Sequence, residues 1–115
     1  MPEDSLTIVT DATFADIVLG SRLPVLVDFW AEWCPPCRPM ARTLAELAPE
    51  FAGGIVFATL NADENPEATR RYRVLSMPTL LLFRQGVVVQ SIVGARPKSM
   101  LRQALTTSTG DYVNR

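Results

Sequence analysis

The chain has 115 residues, a formal net charge of -1, 48% hydrophobic residues and no histidine. This length suits one small domain with a buried core, and the near-zero charge excludes the basic field that attracts nucleic acid or an anionic membrane. Without histidine, Ser–His–Asp catalysis, Cys–His catalysis and imidazole metal sites are excluded. Two cysteines alone cannot complete a structural zinc site, so we expect no metal.

The sequence contains no segment typical of a targeting signal or a membrane span. Residues 1–10 carry two acidic residues and no basic residue, which is unlike a secretory signal. No apolar run approaches the ~20 residues of a membrane helix. We therefore expect a cytoplasmic protein. In that reducing compartment, neighbouring cysteines are more often catalytic or metal-binding than structural.

The pattern in the first half of the chain predicts a strand, a helix, a second strand and a second helix. The first strand covers 5–9, and Thr10 or Asp11 can cap the helix that follows. Residues 25–30 form a near-continuous apolar run, which is typical of a strand buried on both faces. After the cysteine segment, apolar side chains recur at helical spacing as far as Phe51, which predicts the second helix.

The second half predicts three more strands and two more helices. Its strands cover, in chain order, 55–60, 79–83 and 87–93. Asn65 can cap a short helix that begins at Pro66, Gly86 supplies the positive φ of a hairpin, and Pro97 begins the last helix. The order predicts one α/β domain over 1–115, with a mixed sheet and helices on both faces. We expect the polar tail, 108–115, to fray.

Cys34 and Cys37 lie between a predicted buried strand and a helix, where open α/β sheets place functional sites. Their spacing allows a small disulfide ring. We expect Cys34 near the helix N-cap, where free N–H groups and the helix dipole favour a thiolate, and Cys37 one turn further and less accessible. Cys34 is then the attacking nucleophile, and Cys37 resolves the mixed disulfide. The alternatives are an unreactive pair and half of a zinc site, whose other half is missing.

Two residues outside the cysteine segment are candidate site residues. Asp28 interrupts an apolar strand, where a carboxylate is costly unless it is partnered or protonated. A raised pKa would suit a proton shuttle to or from Cys37, whereas a local hydrogen bond would leave Asp28 without a chemical role. Pro78 precedes a buried strand, and it either simply starts that strand or follows a cis peptide bond.

Three segments of the chain resemble the thioredoxin family, and the resemblance extends over nearly the whole sequence. They are VDFWAEWC at 27–34, MPTL at 77–80 and VGA at 93–95. The resemblance implies the thioredoxin fold, with a mixed five-stranded sheet and four helices, and a protein-disulfide reductase. It implies that Cys34 attacks a target disulfide and that Cys37 releases the reduced target. It further implies that Asp28 is the proton shuttle and that Pro78 is cis.

The same resemblance implies a shallow apolar groove around Cys34, along which an extended target segment can pair with backbone. Its residues would be Trp33, Met77, Pro78, Val93, Gly94 and Ala95, with Trp30, Pro35 and Pro36 as structural neighbours. The implied partners are disulfide-containing proteins and a thioredoxin-reductase-like flavoenzyme that uses NADPH. We expect no bound cofactor other than the Cys34–Cys37 disulfide, no nucleic-acid or membrane partner, and a monomer.

Three positions depart from the family pattern. Pro35 replaces the usual glycine, which leaves the reduction potential and the preferred donor open, and the proline pair is also similar to the tryparedoxin and nucleoredoxin motif. Thr59 replaces a lysine that faces the buried aspartate, so we expect a more strongly raised pKa for Asp28. Arg42 replaces a helix-kinking proline while Pro39 comes earlier, which predicts a kink or a ragged first turn.

Three other classes of function compete with a cytosolic reductase. A disulfide isomerase or oxidase is disfavoured by the missing secretory signal. A non-catalytic partner subunit, which the same fold can provide, is disfavoured by the intact cysteine pair. A metal carrier is disfavoured by the absence of histidine.

Overall fold

The structure is a computed structural model that describes residues 5–113, with side chains as far as residue 108. The strands are β1 (Thr7–Ile8), β2 (Val25–Trp30), β3 (Val56–Asn61), β4 (Thr79–Arg84) and β5 (Val87–Val93). The helices are a π-helical segment (Ala15–Leu19), α1 (Cys37–Leu47) with a 3-10 extension (Ala48–Phe51), α2 (Pro66–Arg71) and α3 (Lys98–Val113).

The described residues form one five-stranded sheet in the order β1-β3-β2-β4-β5. β1 and β2 run parallel to β3, whereas β4 is antiparallel to both β2 and β5. The predicted mixed sheet with flanking helices is therefore confirmed. β2 lies at the centre, and its carboxyl end leads directly into the cysteine segment.

Successive side chains of β2 point to opposite faces of the sheet, and each face has its own core. Val25, Val27 and Phe29 pack in one cluster that the π-helical segment and α2 cover. Leu26 belongs to the second cluster, to which α1 and α3 contribute Met40, Leu44, Leu47, Leu101 and Leu105. Asp28 lies two residues from Leu26 and therefore on this second face. Burial of β2 and β4 on both faces agrees with their continuous apolar sequences.

The start of the chain differs from the prediction. The first strand is only two residues long, and both of its side chains are exposed at the sheet edge. The helix after it begins at Ala15, and neither Thr10 nor Asp11 caps it, because Phe14 occupies the N-cap position. Short edge strands bury little apolar surface, so their bounds are weakly specified by hydrophobic pattern.

Asp11 caps a different helix, α2. Its carboxylate accepts hydrogen bonds from the backbone N–H groups of Glu67 and Ala68, at 3.0 and 2.9 Å. Asn65 occupies the predicted N-cap position, but its side chain makes no capping hydrogen bond and instead accepts the N–H of Asp11 at 2.8 Å. The prediction that Asn65 caps α2 with its side chain was wrong. A carboxylate distant in sequence satisfies the free N–H groups at the start of the helix.

The turn before β5 confirms one prediction, and the end of α3 concerns another. Gln85 and Gly86 form a two-residue hairpin loop with φ of 52 and 78°, so the expected glycine is present and its neighbour is left-handed as well. Residues 108–113 continue α3. Residues 114 and 115 of the expected frayed tail lie outside the described residues, so fraying stays a prediction.

Candidate active site

Cys34 and Cys37 form a disulfide, with their Cα atoms 5.4 Å apart. Cys37 is the first residue of α1, and Pro36 occupies the N-cap position. Cys34 lies in the preceding turn, where its N–H donates to Ala31 O and its carbonyl accepts the N–H of Cys37. The sequence predicts Cys34 near the N-cap and Cys37 one turn further, so the helix begins later than predicted.

The expected difference in accessibility between the two cysteines is not present in the disulfide form. Cys34 is 4% exposed and Cys37 is 3% exposed. Pro35 and Pro36, by contrast, are exposed and form the outside of the turn. The turn therefore exposes its two prolines and buries most of both cysteine side chains in the disulfide form.

Pro39 occupies the third position of α1, and the helix continues without a break from Cys37 to Leu47. The first four N–H groups of a helix have no partner within the helix, so the donor that proline lacks is not missed there. Met40, the next residue, donates to Pro36 O at 3.2 Å. The expected ragged first turn was wrong for this reason.

Three small buried side chains, Ala31, Cys34 and Cys37, form a cluster of their own, against which Trp30 and Met77 pack. The structure thus brings Met77, which is distant in sequence, to the disulfide. Trp30 lies on the same face of β2 as Asp28, two residues along the strand. The cluster therefore joins the cysteine segment both to the loop before β4 and to the central strand.

The Met77–Pro78 peptide bond is cis, as the resemblance implies. Pro78 is buried, and its carbonyl accepts the N–H of Gly94 at 2.8 Å. Val93 pairs with Thr79 across β4 and β5 and is exposed, as is Ala95. The structure thus places 93–95 beside Pro78, while no described contact joins them directly to the cysteines.

Trp33 is 64% exposed and lies outside the buried cysteine cluster. Its indole N–H donates to Asp63 Oδ2 at 2.8 Å. We did not single out Asp63 from the sequence. A signal was present, because Asp63 closely follows β3, and the carboxyl ends of neighbouring parallel strands lie at one edge of the sheet.

Asp28 is fully buried, and neither of its carboxylate oxygens has a hydrogen-bond partner among the described residues. In the sheet it lies between Thr59 on β3 and Leu80 on β4, neither of which carries a charge. Burial raises the pKa of Asp28 from 3.8 to about 7. The raised pKa is confirmed, and the alternative of a local hydrogen bond is not observed.

Among residues 5–113 there is no group of three or more side chains that could hold a metal ion. No helix in the same part of the chain is long and apolar enough to cross a membrane.

A mixed sheet of this topology, with a Cys-x-x-Cys disulfide after its central strand and a cis-proline beside it, defines a thiol–disulfide oxidoreductase. The thioredoxin family model matches residues 5–107. The chain is 51% identical over 105 residues to a thioredoxin of Mycobacterium tuberculosis, with 90% of each chain covered. It is 48% identical over 97 residues to thioredoxin 1 of Nostoc, with 84% and 91% covered.

A chloroplastic M-type thioredoxin of Pisum sativum is also similar, at 44% identity over 100 residues, which cover 87% of this chain and 58% of the relative. The chain belongs to the thioredoxin family. Thioredoxins are protein-disulfide reductases, so the cysteine pair is the redox centre of a thiol–disulfide oxidoreductase.

Proposed function

We propose that the chain is a general reductant of protein disulfides in the cytoplasm, with Cys34 as nucleophile and Cys37 as resolving cysteine. The observation that carries the proposal is the Cys34–Cys37 disulfide, set in a turn between β2 and α1 and packed against Trp30 and Met77. This packing supports a cysteine pair that switches between disulfide and dithiol forms with little rearrangement of the residues around it.

In the first step, the Cys34 thiolate attacks one sulfur of a target disulfide. The target S–S bond breaks, and its other sulfur leaves as a thiolate that takes a proton from solvent. In the second step, the Cys37 thiol loses its proton and attacks Cys34 Sγ, so that the mixed disulfide breaks and the second target sulfur leaves as a thiolate, which also takes a proton from solvent. The target disulfide gains two electrons and two protons, and Cys34–Cys37 becomes a disulfide.

Asp28 is proposed to accept the proton of Cys37 in the second step. It lies on the sheet face that α1 covers, and Cys37 is the first residue of α1. A pKa of about 7 leaves a useful fraction of Asp28 ionised at neutral pH, so the carboxyl can both take and return a proton. A carboxyl with an ordinary pKa would be a weaker base for a thiol.

A disulfide-bearing segment is proposed to lie across an apolar groove above Cys34. The exposed side chains of Trp33, Val93 and Ala95 support this, as do the neighbouring backbone groups at Pro78 and Gly94. An extended segment can pair with backbone in such a place while its disulfide faces Cys34. Pro35 and Pro36 shape the turn without donating hydrogen bonds.

The oxidised pair must be reduced again after each cycle. We propose a flavoenzyme of the thioredoxin-reductase class as donor, with NADPH as the source of electrons, so that the chain acts as an electron carrier. The family supports this partner. A cytoplasmic location is proposed because a dithiol reductant needs a continuous supply of electrons, which that compartment provides. We propose that the chain acts as a monomer.

The proposal is tested by the reduction of insulin disulfides with dithiothreitol as the electron source. Wild type is expected to accelerate the reaction, whereas Cys34→Ser abolishes the acceleration. Cys37→Ser that is reduced beforehand and mixed with insulin after dithiothreitol has been removed still attacks and is trapped as a mixed disulfide with an insulin chain, which mass spectrometry detects. Thr106→Ser, an exposed change on α3, serves as the control.

Retained acceleration in Cys34→Ser would contradict the assignment of the nucleophile. Absence of acceleration by wild type would contradict the proposed function and favour a partner subunit that uses the fold without the chemistry. Slower decay of the mixed disulfide in Asp28→Asn, with the first step unchanged, is the result expected for a proton acceptor in the second step.

A further inference from the structure

A groove of about 500 Å³ lies next to the active site and has no role in the chemistry proposed above. Asp63, whose carboxylate holds the Trp33 indole, lines one part of it. The other exposed residues that line it are Pro66, Arg70, Arg73 and Leu75. Because Trp33 precedes Cys34 directly, a segment whose disulfide reaches Cys34 passes close to this groove.

The two arginines of the groove are available to an outside anion. In the part of the chain that the structure describes, neither Arg70 nor Arg73 makes a side-chain hydrogen bond or an ion pair. Arg71 differs, because its guanidinium lies 5.5 Å from the centre of the Tyr72 ring. The single carboxylate in the groove, that of Asp63, already accepts the Trp33 indole N–H.

Backbone strain and apolar exposure occur at this same groove. Arg73 has a φ of 54°, in the left-handed region where glycine is favoured and other residues are strained. Leu75 is 92% exposed, more than any other large apolar side chain among the described residues. The chain thus holds a charged residue in an unfavourable conformation and an apolar side chain in solvent, side by side.

We propose that this groove binds an acidic side chain on the disulfide-bearing segment of a substrate protein while Cys34 attacks the disulfide. Arg70 and Arg73 supply the charge that is complementary to the carboxylate. Leu75 supplies an apolar contact, which a protein segment can use and a small inorganic anion cannot. The inference rests on the proposed function, and it specifies which disulfide proteins are preferred.

The test uses pairs of synthetic cystine peptides that differ only in Asp against Asn at each position flanking the disulfide. Reduced protein is mixed with excess peptide, and its oxidation is followed by tryptophan fluorescence, since Trp30 packs against the cysteines. Wild type is expected to react about two- to fivefold faster with Asp at one or more positions, as fits exposed ion pairs. The preference is expected to fall as salt rises.

The double variant Arg70→Glu/Arg73→Glu is expected to lose the preference for Asp and to react normally with the Asn peptides. Arg22→Glu, which reverses one charge where the double variant reverses two, is the control in the loop before β2. It lies at the opposite end of that strand from the disulfide and is expected to keep the preference. Equal rates with Asp and Asn in wild type, or a preference that survives the double variant, would overturn the inference. Failure of wild type to react with any peptide would instead contradict the proposed function.

Discussion

Asp28 places a carboxylate in the middle of the sheet without a partner. The folded state holds the proton of this carboxyl more tightly than the unfolded chain does, with a pKa of about 7 against 3.8. When folding raises the pKa of a carboxyl, the folded protein loses stability as the pH rises from the pKa of the unfolded state to the pKa of the folded state. The buried carboxylate therefore lowers the stability of the fold at neutral pH, which is consistent with a role of Asp28 in function and not in stability.

Replacement of Asp28 by Asn removes this pH-dependent loss. The stability of Asp28→Asn relative to wild type is expected to rise between about pH 4 and pH 7, by about 4 kcal/mol in total, and then to level off. Urea unfolding at several pH values measures the difference. The amide that Asp28→Asn introduces can itself lower the unfolding free energy, but this effect does not depend on pH. A difference in unfolding free energy that stays constant across this pH range would therefore contradict the account.

Thr59 is the neighbour of Asp28 on β3 and carries no charge. A lysine there would place an ammonium group near the carboxylate and favour its ionised form. The pKa of Asp28 is therefore expected to fall in Thr59→Lys toward its ordinary value, as measured by NMR titration of the carboxyl carbon. Thr59→Met is the control, because methionine is of similar length to lysine and carries no charge. An unchanged pKa of Asp28 in Thr59→Lys would contradict this explanation.

Arg73 lies in the left-handed region and Arg71 lies in α2, so the same substitution is expected to act in opposite directions at the two positions. Arg73→Gly relieves strain and is expected to raise the unfolding free energy by up to about 1 kcal/mol. Arg71→Gly is expected to lower it by about 1 kcal/mol, because glycine is unfavourable in a helix. Equal losses in the two variants would show that Arg73 is not strained.

At the scale of elements, the strands that were predicted best are those with two buried faces. β2 and β4 are nearly continuous in apolar side chains, and the structure buries almost all of them. The edge strand β1 and the beginnings of the helices were predicted less well. Their bounds depend on caps and edge contacts that come from segments distant in sequence, as Asp11 and Asn65 show.

Asp11, in the loop after β1, accepts hydrogen bonds from the N-terminus of α2. Asp11→Ala removes both acceptors for the N–H groups of Glu67 and Ala68 and is expected to cost about 1–2 kcal/mol of unfolding free energy. Chemical denaturation measures the loss. Asp16→Ala removes an exposed carboxylate in the π-helical segment and is the control. A loss no larger than that of the control would show that this cap does not stabilise α2.

At the scale of the whole molecule, the sequence located the cysteines and the buried carboxylate, because each interrupts an ordinary pattern, whereas the cis bond before Pro78 was expected only from the family resemblance. The arrangement around them could not be predicted in the same way. The Trp33–Asp63 hydrogen bond joins two segments that are 30 residues apart in sequence. The groove of Arg70 and Arg73 is lined by residues of α2 and of the segments on either side of it. Single exposed polar residues give no periodic signal, so only the fold reveals which of them lie together.

The most direct test of the central claim is the reduction potential of the Cys34–Cys37 couple, measured by equilibration with a glutathione or NADPH-linked buffer. A general reductant of protein disulfides is expected to have a potential near about -270 mV, in spite of Pro35 between the cysteines. A potential of about -180 mV or higher would contradict this account, because such a couple tends to form or rearrange disulfides in other proteins.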